Sequence, residues 1–110
     1  MLISDVRPVV YDEVADVPAA ILTTILSREF DLDSRLQISN IMCSGSVYAE
    51  FSLYMKDKKI AVKRSCPSRN VDFVFPKSLY CDNGDVLTVK VIHYRSDQLP
   101  KFECGIFGSN

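Results

Sequence analysis

Residues 46–56 read SVYAEFSLYMK, and how they alternate decides the fold class. Val47, Ala49, Phe51, Leu53 and Met55 are apolar, while Ser46, Tyr48, Glu50, Ser52, Tyr54 and Lys56 between them are polar or amphipathic. Successive side chains of an extended chain point to opposite faces, so a period of two marks a half-buried strand. A helix would repeat its apolar positions every three or four residues instead. Asp57 and Lys58 make a polar turn, and Ile60 and Val62 resume the alternation. The two segments together predict a hairpin with an exposed basic tip.

Further along the chain, Val71, Phe73 and Phe75 share one side of a second strand. Pro76 has no N–H for a ladder, so it marks that strand's end or an edge position. Asp82-Asn83-Gly84-Asp85 supplies turn chemistry, read as a hairpin turn. Val86–Arg95 then gives the longest strand signal. Leu87, Val89, Val91 and His93 lie on one face; Val86, Thr88, Lys90, Ile92 and Tyr94 lie on the other. Both faces carry apolar residues, so this strand is central or needs a second cover. Phe102, Cys104 and Ile106 form a last short strand.

Towards the N-terminus, Leu36 and Ile38 alternate before the pattern shifts to Ile41 and Cys43, as a bulge near Ser39-Asn40 would cause. Residues 18–30 (PAAILTTILSREF) mix helix formers with a β-branched run. That run would lose side-chain freedom in a helix, which favours strand. Arg7–Val14 reads as an edge strand or arm. The total is seven or eight short strands in an all-β chain, an antiparallel β-sandwich of jelly-roll-like form. Its expected core is Val47, Phe51, Leu53, Phe73, Leu87, Val89 and Val91. No linker or repeat divides the 110 residues, so 1–110 is one domain with residues 1–16 as its arm or edge strand.

Composition narrows the functional classes. Hydrophobic residues make up 47% of the chain, more than a disordered chain would carry. No apolar run is long enough to span a membrane as a helix. The start, MLISDVRPVVYDEV, has acids where a secretory signal would be basic and then apolar, so the chain reads as unexported. A net charge of −1 argues against nucleic acid as partner. The charge is nevertheless unevenly placed. Residues 1–33 hold seven acids against Arg7 and Arg28; residues 56–69 hold six cations against Asp57. These regions are either two solvated surfaces or mutually attractive ones, within a chain or between copies.

Cys43, Cys66, Cys81 and Cys104 show no metal-like spacing, and without an export signal they read as free thiols, the alternative being two disulfides whose pairing the sequence does not fix. His93 is the only histidine, which excludes paired-histidine chemistry within one chain. No GxSxG elbow accompanies it, so it reads as a histidine at the core margin. Asp82, Asn83 and Asp85 offer oxygens, but the spacing of a calcium loop is missing. The four glycines read as turn or terminal residues, with no phosphate loop. No cofactor, metal or catalytic residue is therefore expected. The candidate contact residues are Tyr48, Tyr54, Lys56, Lys58, Lys59, Ile92 and Tyr94. Tyrosines beside lysines suit a protein partner, and their rings also suit the face of a sugar.

LQISNIMCSGSVYAEFSLYM (36–55) and FVFPKSLYCDNGDVLTVKVIHY (73–94) resemble small β-sandwich structural proteins of tailed bacteriophages, in cadence more than in any defined motif. The resemblance covers about two-thirds of the chain and is shared in part with carbohydrate-binding modules. It implies a virion protein of the decoration, collar, tail or fibre type, assembled in the host cytoplasm. Its partners would be copies of itself and other virion proteins, without membrane or nucleic acid. The alternative is a small carbohydrate- or ligand-binding module with a glycan as partner.

Overall fold

The computed structural model describes residues 9–31, 35–65 and 70–109, apart from the side chains of residues 65, 76–78 and 109. Among them are eight strands: β1 (Val10–Val14), β2 (Thr23–Glu29), β3 (Leu36–Gly45), β4 (Ala49–Met55), β5 (Lys58–Ser65), β6 (Val71–Cys81), β7 (Val86–His93) and β8 (Phe102–Ser109). They build two antiparallel sheets, β1-β8-β3-β6 and β2-β7-β4-β5. The pairing is nested: β1 with β8, β2 with β7, β3 with β6 and β4 with β5. The chain is thus one long antiparallel ribbon, doubled back at the β4–β5 turn and rolled into two layers. That is a jelly roll.

The core follows from strand parity. Phe51, Leu53, Leu87, Val89 and Val91 are fully buried, and Val47 and Phe73 nearly so. The Phe102 ring sits among them, edge-on to Phe51 at 5.8 Å and tilted against His93 at 5.7 Å. Gly45 makes room for that ring, since a Cβ there would fall 2.2 Å from it. The segment read as helix or strand is a strand from Thr23 to Glu29, and a register shift between Thr24 and Leu26 leaves both Ile25 and Leu26 buried. The shift expected near Ser39-Asn40 lies between Ile38 and Asn40 against both neighbours of β3.

Several local expectations need correction. The hairpin turn is Lys56-Asp57, not Asp57-Lys58, because Met55 pairs with Lys58. A bulge between Leu53 and Tyr54 then pairs Leu53 with Ala61. Without it Ile60 and Val62 would oppose Leu53 and Phe51 and face the core; with it they are exposed and Ala61 packs inward. Of the two places expected for Pro76, the edge position holds: β6 has no neighbour on one side and continues past Pro76 to Cys81. The Asp82–Asp85 turn is no hairpin: it carries the chain from β6 in one sheet to β7 in the other. Only Gly84 there takes positive φ, at 86°. Gly105 is neither a turn nor a terminal residue but lies in the middle of β8.

Candidate interaction site

β7 and β4 are the two central strands of their sheet, and their outward positions create the candidate surface. Ile92 pairs with Glu50, and Glu50 with Arg64, so these three cross the sheet in one row. Tyr48 and Tyr94 flank the row at the strand ends, 61% and 73% exposed. Together they line an open depression of about 270 Å³ whose apolar lining includes the outward Ile92, with Ala49 beside it. Arg64 Nε donates to Glu50 Oε2 at 3.2 Å and closes one side with an ion pair. Chemically this is an aromatic-walled, apolar-lined recess with a polar rim.

The remaining candidate residues lie elsewhere on the same sheet. Tyr54 follows the same outward parity as Tyr48 but lies about 20 Å along β4 at roughly 3.3 Å per residue, too far to share one small ligand. Its ring is covered by cations, Lys90 Nζ at 4.8 Å and Lys59 Nζ at 6.0 Å from the centroid. Lys56 reaches Asp85 Oδ1 at 3.1 Å and pins the hairpin to the turn before β7. Lys58 opens β5 in solvent. The seven residues therefore divide: Tyr48, Ile92 and Tyr94 form one recess, Tyr54 and Lys59 a second patch, and Lys56 and Lys58 the hairpin end.

A second recess, on the outer face of the other sheet, was not legible as a site in the sequence. Gly105 pairs with Tyr11 on one side and Met42 on the other. With no side chain at Gly105, these and Phe107 surround an open hollow of about 290 Å³. At its edge the Tyr11 hydroxyl donates to Glu103, and Ser44 Oγ donates to Glu103 Oε1 at 2.9 Å. Both bonds favour the carboxylate, and they hold Glu103 below the ordinary range, Tyr11 contributing most. The same contact pushes the Tyr11 phenol upward. The only sequence signal was a glycine in the middle of an alternating strand.

His93 is fully buried and held from both nitrogens. Nε2–H donates to the Val17 carbonyl at 2.7 Å, and Nδ1 accepts the Arg95 N–H at 3.1 Å. It is thus a core residue that ties the β1–β2 connection to the end of β7. The acids of the Asp82–Asp85 turn do not converge on a cation site. Asp82 accepts from Arg35 Nε at 2.9 Å. Asp85 takes the Asp82 N–H at 2.8 Å and Lys56, and these two contacts hold its carboxyl low, the backbone bond foremost. Cys43, Cys81 and Cys104 are buried free thiols, with Cys43 and Cys104 Sγ 3.5 Å apart across β3 and β8; Cys66 lies outside the described residues. Comparison with protein-family models, curated proteins and solved structures finds no match to this chain.

Proposed function

We propose that this chain is a non-enzymatic structural protein of a tailed-bacteriophage particle, present in many copies and acting through protein–protein contacts. The observation that carries the reading is the recess of Tyr48, Ile92 and Tyr94, backed by the Glu50–Arg64 ion pair on an outer sheet face. Exposed tyrosines around an apolar lining with a polar rim have the make-up of a protein interface. The jelly roll, a scaffold used in capsid and lectin domains, accommodates that role. The particle class itself rests on the resemblance of segments 36–55 and 73–94.

The test is quantitative mass spectrometry of particles purified from the lysed culture in which the chain is made. Many copies per particle, retained through a density gradient, are expected. Recovery of the chain only in the particle-free fraction would overturn the assignment. A second reading, glycan capture, is favoured by the exposure of the two tyrosine rings. Oligosaccharide titration, read by changes in tyrosine fluorescence and lost in Tyr94→Ala, would establish it instead.

A further inference from the structure

The rolled ribbon sends β1 and β2 to one lateral edge of the sandwich and β5 and β6 to the other. The described acidic and basic residues thereby fall on opposite flanks of the molecule, apart from one another within one chain. On or beside the first edge are Asp12, Glu13, Asp16, Glu29 and Asp31, against Arg28. Along β5, its turn and the described start of β6 are Lys56, Lys58, Lys59, Lys63 and Arg64, against Asp57 and Asp72. Some of these are partly neutralised within the chain: Glu13 by Lys101 at 3.4 Å, Arg64 by Glu50, and Lys56 by Asp85. Asp12, Glu29, Asp31 and Lys58 make no ion pair among the described residues.

Besides Tyr48, Tyr94 and Leu99, exposed apolar side chains lie on the same two edges. Val9, Tyr11, Ile21 and Leu22 are 46–54% exposed at the acidic side. Ile60, Val62 and Val74 are 42–62% exposed at the basic side. Each edge strand also has a partner on one side only, leaving main-chain groups open to a further strand. Edge charges of one sign throughout would keep copies apart. Here the signs differ, so unlike edges attract and like edges repel.

We propose that copies of this chain dock head to tail, the acidic β1–β2 edge of one against the basic β5–β6 edge of the next. The apolar residues provide most of the attraction, because exposed ion pairs contribute little each. The charges set direction and register. Such a contact joins two different surfaces, so it closes into a ring or continues as a filament and does not stop at a two-fold dimer. The inference rests on the assembly reading above and specifies its contact.

Two charge-neutralised variants test it, each checked for a β-type circular dichroism spectrum: Asp12→Asn with Glu29→Gln, and Lys58→Gln with Lys59→Gln. Light scattering and native mass spectrometry at low salt should show wild-type rings or filaments larger than dimers, weakened by added salt. Each variant alone should associate at least about tenfold more weakly. Mixed in equal amounts, the two should give a 1:1 heterodimer, because one intact acidic edge meets one intact basic edge and the remaining edges are neutralised. Wild-type assembly that stops at a dimer, or variants that assemble as wild type does, would overturn the head-to-tail contact and leave the assembly reading standing. A wild type that stays monomeric at every concentration, and is absent from particles, would overturn both.

Discussion

At the residue scale the molecule is organised around Phe102, whose ring meets Phe51, His93 and the bare backbone of Gly45. Strand parity alone placed Phe51 and His93 on the inner face, because one wrong residue of register would have turned both outward. The partners of His93 were not legible, since Val17 is 76 positions away in sequence. Those partners set its energetic role. His93→Ala should destabilise the fold by about 3–5 kcal/mol through the lost ring and its cavity. His93→Phe keeps most of the volume but leaves the Val17 carbonyl and the Arg95 N–H without their partner, at about 1–3 kcal/mol. Urea unfolding of both variants measures the two contributions. A His93→Phe protein as stable as wild type would show that the hydrogen bonds contribute nothing net. The buried thiols allow a second measurement. Burial, reinforced by Asp85 and Asp82, pushes Cys81 up to about 11, and the Cys104 thiol and burial push Cys43 far up. Iodoacetamide at pH 8 should leave Cys43, Cys81 and Cys104 unmodified in the native protein and alkylate all three in urea, as peptide mass spectrometry would reveal. Rapid native labelling at Cys43 would mean that β3 and β8 part readily.

Elements were read more reliably than their connections. Alternation is a local property, so β4, β7 and β8 could be recognised from a few residues each. The bulge in β5 could not, because it depends on which residue of β4 each one opposes. The Asp82–Asp85 turn shows the same limit: its composition announces a turn, but nothing local says that the next strand belongs to the other sheet. The β4–β5 turn carries a cost that glycine could relieve. Lys56 and Asp57 both take positive φ, 52° and 66°, in a two-residue hairpin loop that favours Asn-Gly. A residue with a Cβ is disfavoured in that region by about 1–2 kcal/mol, less for Asp. Asp57→Gly should therefore stabilise the protein by about 0.5–1 kcal/mol while leaving the Lys56–Asp85 pair in place. Thermal unfolding reports the change, and a lower midpoint would show that Asp57 contributes something its backbone conformation does not explain.

Across the whole molecule, the nested pairing makes the N-terminal and C-terminal strands neighbours, so closure of the roll depends on the β1–β8 contact. Glu103 stands at that seam, accepting from Tyr11 on β1 and from Ser44 on β3. These bonds hold its carboxyl below its ordinary value of 4.5, and Lys101 acts in the same direction. A carboxyl with a lowered pKa in the folded state contributes stability that is fully present above its unfolded value. That contribution disappears as pH falls through the folded value, because the unfolded chain binds the proton first. Asp85 behaves alike from an ordinary value of 3.8, through the Asp82 N–H and Lys56. Stability should thus decline as pH falls below about 4.5, with the seam among the first regions to loosen. Glu103→Gln removes one titrating group and should flatten the acid limb of a plot of urea midpoint against pH. Tyr11→Phe removes the main donor, so the Glu103 carboxyl should titrate closer to 4.5 and the limb should flatten in the same sense. Hydrogen exchange of the β1 amides at pH 4 against pH 6 locates the loosening. An acid limb identical in wild type, Glu103→Gln and Tyr11→Phe would place acid sensitivity elsewhere, with Asp85→Asn as the next variant to measure.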